Sequence, residues 1–472
     1  MLWLETKIKS RAKFFGFTYL SMIIWNVATT WWILNASVPG ALGAFFANSF
    51  IMCFPWLGFK IAKKWLGETT GYISLITFWM CFEYIHLHDW GLSWPWLTLG
   101  NVFATHPQWI QWYEYTGTSG GSLWVMAVNV LLFLHIKNNL TRTDDKSYKN
   151  LVTGILVLIL PVLLSMLFSI DKTIPGNEKN IVIVQPNIDP YEKLTTGSFD
   201  AQLQKLIHIS ETEIDSNTAL VVWPETALFV EHGIDETKMK ENFFLNPLWG
   251  FLQRHPKLSL FTGVESYREY DSFNGSILLD SSGALAFYHK SMLVPGVETL
   301  PWFLKFIDKW FEKFGGTTAG YTKQDERTVL NDTRHGYKIA PAICYESIYG
   351  DFMSNYIRNG ANMICIITND GWWQNTPGYR QHMSYARLRA IETRKWVARS
   401  ANTGISCFID PYGNIIDPQP WDTTSAVKLN MPVNDVKTFY VKYGDLLSKG
   451  ITIISLLLII LTFILWIKKK LK

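Results

Sequence analysis

KIAPAICYESIYG occupies residues 338–350. Small and branched apolar residues run up to Cys344, and polar residues follow. A short apolar run closed by polar or turn residues reads as a buried strand. Cys344 and Glu346 therefore fall at a strand's carboxyl end. The same form recurs in IVIVQPN (181–187), ALVVWPE (219–225), SLFTGVE (259–265), GSILLD (275–280), MICIITND (363–370) and ISCFID (405–410). Helices are expected at about 198–215, 236–254, 347–358 and 378–396, the last opening after Pro377, which suits a first helical turn. Alternating strands and helices imply a layered α/β domain. The polar stretch 313–335 reads as a long loop. In such sheets chemistry gathers at the carboxyl ends of strands. Glu225, Cys344 with Glu346, and Asn369 with Asp370 all fall there, and Lys290 lies just beyond a further strand in FYHKSMLVPGVE (287–298).

Outside this middle region the chain changes character. A membrane-spanning helix needs about 20 mostly apolar residues, because lipid offers backbone groups no partner. Six segments qualify, at roughly 14–34, 40–59, 71–90, 117–136, 151–170 and 450–467. Basic residues cluster at Lys7, Lys9, Arg11 and Lys13; at Lys60, Lys63 and Lys64; at Lys137, Arg142, Lys146 and Lys149; and at Lys468, Lys469, Lys470 and Lys472. The loops 35–39 and 91–116 carry neither Lys nor Arg. With these spans every basic cluster falls on one side, which the positive-inside rule makes cytoplasmic. The segment 171–449 then lies outside the cytoplasm. The loop 91–116, with Trp90 just before it, carries Trp94, Trp96, Trp109, Trp112, Tyr113 and Tyr115, aromatics that favour the membrane interface. Glu83, deep in the third span, is expected to face a polar interior or a partner.

Composition agrees. The hydrophobic fraction is 48% and the charged fraction 17%, too apolar for a wholly soluble chain and too polar for helices alone. The net charge of +4 leaves no basic stripe to hold nucleic acid. Five scattered cysteines without a CxxC pair point to neither a zinc site nor a disulfide framework. No small-residue cleavage pattern follows the first apolar segment, so no signal peptide is expected. No metal or other cofactor is expected.

A neutral thiol is a poor nucleophile. A carboxylate can take its proton, and a lysine can stabilise the thiolate and a later oxyanion. Glu225, Lys290 and Cys344 supply those functions. Each alone has a plain structural reading: strand end, surface lysine or core cysteine, the last applying to Cys365 and Cys407. Together, VVWPETAL, YHKSMLVPGVE and ICYESIYG resemble the three signature blocks of the nitrilase superfamily. The flanking spans, TNDGWW with YRQHMSYARLRAIETRKWVARSANTGIS, and LSWPWLTLGN with its downstream YTG resemble the apolipoprotein N-acyltransferase family.

That resemblance implies a multi-span α-helical membrane domain (1–170, about five spans), an extracytoplasmic nitrilase-like αββα sandwich (171–445), and a last span with a basic tail (446–472). It implies residence in a bacterial inner membrane with catalysis on the periplasmic side. It implies a ping-pong acyl transfer: Cys344 takes a chain from a membrane phospholipid as a thioester, then passes it to the α-amine of a diacylglyceryl-cysteine apolipoprotein. Glu225 is implied as general base, and Lys290 with the Tyr345 N–H as the oxyanion site. Glu298 and Glu346 match further acidic positions that orient Lys290 or the amine. Trp223, Asn369, Trp94 and Trp96 are candidate substrate contacts. The family commonly has two further N-terminal spans, and a Pro-Phe-Gly-Glu run where this chain reads PGVE (295–298). The competing readings are a membrane-tethered amidase acting on a soluble amide, and a transporter or lipid receptor with an external domain. Acyl chains that resist extraction, at about 0.8 kcal/mol per CH₂, favour an active site opening onto the bilayer.

Overall fold

The computed structural model describes residues 1–140, 148–168, 177–191, 198–230, 233–283, 285–300, 304, 306 and 320–471. Arg142, Lys146, the end of the fifth expected span, and 313–319 of the expected loop lie outside them. The chain divides into two compact units. One comprises 1–31, 39–170 and 443–472; the other comprises 32–38 and 171–442.

The first unit is helical. Its principal helices are α1 (Arg11–Thr30), α2 (Asn48–Leu66), α3 (Glu68–His86), α4 (Thr118–Leu140), α5 (Lys149–Phe168) and the C-terminal helix Leu446–Lys470. Ser10 opens α1, its hydroxyl accepting from the N–H of Lys13 at 3.3 Å. Among the described residues, four helices are long and apolar enough to cross a membrane: Val38–Leu66, Thr118–Leu140, Lys149–Phe168 and Leu446–Lys470. α1 and α3 stand where two further spans were expected and have similar lengths, but they are too polar to meet the same measure. Leu156, Leu160, Leu163 and Leu167 on α5, and Ile453, Leu457, Ile460 and Ile464 on the C-terminal helix, are exposed. An apolar coat of that extent suits hydrocarbon.

Ion pairs collect the basic helix ends. Lys63 pairs with Glu5 at 2.6 Å and Glu68 at 3.8 Å, Lys137 pairs with Glu68, and Lys469 lies 5.5 Å over the Trp65 ring. The N-terminal segment, the α2–α3 junction, the end of α4 and the C-terminal tail thus share one end of this unit. The aromatic loop is tied to α3. Glu83 Oε1 accepts from Leu99 N at 2.8 Å and Trp79 Nε1 at 2.9 Å, and His86 Nδ1 accepts from Trp94 N at 2.8 Å. Glu83 therefore has the partners its depth requires.

The second unit holds two sheets. The seven-stranded sheet runs β13-β1-β2-β4-β5-β6, with β3 on β4; the six-stranded sheet runs β12-β11-β10-β9-β8-β7. Their strands are β1 (Asn177–Gln185), β2 (Thr218–Val222), β3 (Ile234–Asp235), β4 (Ser259–Arg268), β5 (Asp271–Asp280), β6 (Leu285–His289), β7 (Leu330–Asp332), β8 (Tyr337–Ile343), β9 (Met363–Thr368), β10 (Val397–Ala401), β11 (Cys407–Ile409), β12 (Ile415–Ile416) and β13 (Ser425–Val433). The order β1-β2-β4 is parallel, as is β8-β9-β10. Helices α6 (Phe199–Glu211) and α7 (Asn246–Arg254) cover the first sheet, with Leu203, Leu206, Leu248 and Phe251 buried against Val182, Val221 and Leu260. Helices α8 (Gly350–Arg358) and α9 (Pro377–Thr393) go with the second sheet. The sheets meet where the Ser400 hydroxyl donates to the Val184 carbonyl at 2.7 Å. This is the αββα sandwich.

Several boundaries differ from expectation for local reasons. α7 starts only at Asn246, where Pro247 sets a first turn; 239–241 and 243–245 are isolated 3₁₀ turns. α9 stops at Thr393 because Arg394 turns left-handed, φ 53°. β13 was not foreseen: Lys428, Asn430 and Pro432 mask it, and its place at the sheet edge tolerates the proline. The tail of the first expected span leaves the helical unit. Trp32 packs edge-on against Trp373 at 4.8 Å, and a Cβ on Gly378 would come within 2.7 Å of its ring.

Candidate active site

The turns that follow β2, β6 and β8 bring Glu225, Lys290 and Cys344 together. Glu225 lies three residues past β2. Its Oε1 accepts from Asn274 Nδ2 at 2.9 Å and from Lys290 Nζ at 3.3 Å, and its Oε2 accepts from the Asn369 N–H at 3.1 Å. The last bond joins the two sheets. The turn is tight: Thr226 has φ 50°, and Gly263 on β4 lies beneath it, the Gly263 N–H donating to the Pro224 carbonyl at 3.2 Å. A Cβ on Gly263 would lie 2.4 Å from Thr226 N and 2.7 Å from Glu225 Cα. Gly263→Ala should therefore move the Glu225 turn and destabilise the domain by about 2 kcal/mol. Thermal unfolding would register this, and an unchanged melting point would refute it.

Lys290 follows β6 and is buried. Its Nζ donates to Glu298 Oε1 at 2.8 Å as well as to Glu225. Burial disfavours its charge, yet Glu298, Glu225 and the Cys344 sulfur more than offset that and hold its pKa well above the ordinary lysine value. The ammonium stays charged. Asn274 braces both carboxylates, since its Nδ2 also reaches Glu298 Oε1 at 3.0 Å, while its carbonyl accepts the Lys290 N–H at 2.9 Å.

Cys344 is the first residue past β8 and takes φ 51°, a left-handed conformation that costs a non-glycine residue about 1–3 kcal/mol. The turn is held by Glu346, fully buried. Its Oε2 accepts from the Ile343 N–H at 2.8 Å; its Oε1 accepts from the N–H groups of Ser291 at 2.7 Å and Met292 at 3.3 Å and from the Tyr288 hydroxyl at 2.5 Å. Glu346 thus ties the Cys344 turn to the backbone beside Lys290, rather than meeting the ammonium itself. The thiol departs from the simplest expectation. Burial raises its pKa, the Glu225 carboxylate raises it further, and Lys290 pulls back only in part, so the resting form is the thiol.

The remaining candidates separate. Asn369 enters the site through its backbone N–H, and its side-chain oxygen accepts from Asn402 at 3.1 Å. Trp223 instead packs into the core beneath the first sheet, stacked on Phe251 at 6.1 Å, its indole N–H on Ser210 Oγ at 2.8 Å. It stands on the helix-covered face, where a bulky apolar ring fills space between α6 and α7. Trp94 and Trp96 belong to the helical unit and stack at 5.6 Å, with Trp96 buried. Tyr345 follows Cys344 directly and is buried. Asn274 escaped the sequence reading. It sits one residue before the expected strand GSILLD, and nothing in its neighbours marks it apart from the asparagine itself.

Among the described residues no cluster of His, Cys, Asp and Glu is arranged to hold a metal ion. The arrangement offers a thiol, an acceptor for its proton, and a fixed cation. That is equipment for acyl transfer through a covalent intermediate.

Residues 180–439 match the carbon-nitrogen hydrolase family, and residues 1–131 match the apolipoprotein N-acyltransferase N-terminal domain. The chain is similar to the apolipoprotein N-acyltransferase of Chlorobaculum tepidum, 30% identical over 463 residues, covering 92% of this chain and 84% of that one. It is also similar to the apolipoprotein N-acyltransferase of Rickettsia typhi, 28% identical over 431 residues, 86% of this chain and 80% of the relative. Among solved structures, Saccharomyces cerevisiae Nit3, of branch 10 of the nitrilase superfamily, aligns with 55% of this chain and 92% of its own, at 16% identity and a TM-score of 0.43.

Proposed function

The chain belongs to the apolipoprotein N-acyltransferase family within the nitrilase superfamily, and from that we propose that it carries an acyl chain from a membrane phospholipid to a lipoprotein amine through a thioester on Cys344. Lipoprotein N-acylation by a membrane-bound acyltransferase is the family's activity and this chain's. The donor, the covalent intermediate and the residue roles are our reading.

In the first half-reaction Glu225 takes the thiol proton as Cys344 Sγ bonds to the ester carbonyl carbon of the phospholipid. The oxyanion is stabilised by the Lys290 ammonium and the Tyr345 N–H. Collapse breaks the ester C–O bond, Glu225 returns its proton to the departing oxygen, and a lysophospholipid leaves. In the second half the α-amine of the diacylglyceryl-cysteine attacks the thioester. Glu225 accepts the amine proton and returns it to sulfur, giving the amide and the resting thiol. Glu298 and Asn274 keep Lys290 and Glu225 in place.

The supporting observation is that one carboxylate oxygen, Glu225 Oε1, meets Lys290 Nζ while Cys344 lies in the field of both. We place the membrane domain at 1–170, the extracytoplasmic catalytic domain at 171–445, and the last span and basic tail at 446–472. The gathering of basic helix ends at one end of the helical unit supports a cytoplasmic location for that end, hence periplasmic catalysis at the inner membrane. The test is intact-mass spectrometry of the protein incubated with phospholipid alone. One added acyl group should appear, vanish on adding a diacylglyceryl lipopeptide, and be absent from Cys344→Ala. An acyl adduct on Cys344→Ala, or discharge to water at the rate of discharge to amine, would refute the reading.

A further inference from the structure

Beneath the Cys344 turn lies a buried charged cluster that the reaction above does not use. Asp370 follows β9, Arg399 lies on β10 and His382 on α9, all fully buried. Asp370 Oδ2 accepts from Arg399 Nη2 at 2.6 Å, and its Oδ1 accepts from the Thr368 hydroxyl at 2.9 Å. Burial works to raise the Asp370 carboxyl, but Arg399 and His382 bring its pKa down to about 2, so it is ionised. His382 Nδ1 lies 2.8 Å from Asp370 Oδ1. On the other side of the ring, Nε2 lies 3.1 Å from the carbonyl oxygen of Cys344 and 3.0 Å from Ser347 Oγ.

An ionised carboxylate and a carbonyl oxygen are both acceptors only. The contacts at Nδ1 and at Nε2 are therefore both attractive only when each nitrogen carries hydrogen. In a ring protonated at Nδ1 alone, Nε2 would turn a lone pair on the Cys344 carbonyl. The Ser347 hydroxyl, which donates to that carbonyl at 2.7 Å, would then have to serve the ring instead. We propose that His382 is held as an imidazolium and is a positioning residue for the nucleophile, its Nε2–H fixing the Cys344 carbonyl and with it the left-handed turn that presents the sulfur. This rests on the reading of Cys344 as nucleophile.

The groups facing the ring come from every element packed on it: Asp370 and the Trp373 ring edge from the loop after β9, Arg399 (Nη2 at 3.3 Å from Nδ1) from β10, and Ser347 and Cys344 from the turn. Asp370 is already balanced by Arg399, so the imidazolium leaves the cluster net positive. That charge suits a neighbour that becomes negative during reaction. A ring without the Nε2 hydrogen would leave the carbonyl without this donor.

The experiment follows thioester formation from phospholipid across pH, using the full-length protein in detergent. Wild type should lose rate at alkaline pH. His382→Gln, whose amide keeps an N–H donor that does not titrate, should lack that limb. His382→Ala should be slower by about a hundredfold at neutral pH, the scale of a misplaced reacting group, and should lack the alkaline limb too. An alkaline limb shared by His382→Gln, or wild-type rates in His382→Ala, overturns the inference. Wild type forming no thioester at any pH overturns the nucleophile reading and this inference with it. Ring-nitrogen resonances of histidine-labelled wild type, assigned by loss in a His382 variant, should show both nitrogens protonated at neutral pH. A neutral ring there refutes the imidazolium without relying on any variant's activity.

Discussion

Glu225→Gln should slow acyl-thioester formation by about a hundredfold to ten-thousandfold, the usual range for a lost general base. The substitution is isosteric. Its oxygen still accepts from Lys290 and Asn274, while its amide faces the Asn369 N–H and forfeits one hydrogen bond, worth about 1 kcal/mol. The loss of rate therefore far exceeds the loss of stability. The cause is the state of Cys344. Because the thiol is pushed upward by burial and by Glu225, little thiolate exists before substrate arrives, and proton transfer must accompany attack. The variant should recover rate steadily as pH rises and the thiol ionises unaided. Removing the carboxylate also removes one cause of the raised thiol pKa, so this recovery should begin at lower pH than wild-type thiol ionisation. Stopped reactions resolved by mass across pH provide the measurement. A variant acylating at the wild-type rate at neutral pH would remove Glu225 from the proton path.

Glu346→Gln should lower stability by about 3 kcal/mol and depress acylation with it. The carboxylate accepts from three backbone N–H groups and one hydroxyl, with donors on both oxygens. An amide supplies one acceptor only, and whichever way it turns, its NH₂ meets a buried donor. Either the Ile343 N–H or the Ser291 and Met292 N–H groups lose their partner. The Cys344 turn would then separate from the Lys290 backbone, so the thiol and the Lys290 ammonium are misplaced together. Denaturant unfolding gives the first quantity and single-turnover acylation the second. Wild-type values in both would mean that Glu346 carries no such strain.

The sequence made the frame legible because its signals are local. A strand's apolar run and the polar residue closing it lie within ten positions, so Glu225, Cys344 and Asn369 could be placed at strand ends without a structure. Lysine placement exposed the basic helix ends for the same reason. What stayed hidden depends on partners far along the chain. Asn274 gains its role only where β5 passes the β2 and β6 turns. Trp223 looked like a site residue because it stands two positions before Glu225, yet it directly follows the last residue of β2 and its ring turns into the core. The thiol's protonation depends on burial, which no spacing encodes. His382 sits within a block that carried the family resemblance, but its bond to the Cys344 carbonyl exists only once α9 crosses the turn. β13 shows the converse: lysine and proline at a sheet edge hide a strand that pairing with β1 makes regular.

Residues 32–38 belong to the β-rich unit although 132 residues of the other unit, 39–170, separate them from the rest of it. Tyr191 donates its hydroxyl to the carbonyls of Asn35 and Trp372, both at 2.8 Å, and Asn35 donates to the Trp373 carbonyl at 3.1 Å. A soluble enzyme cut at residue 171 would leave those groups, and the hollow over Gly378, facing water. Anyone wishing to release the catalytic half from its lipid setting must supply this heptapeptide as well, grafted or added in trans.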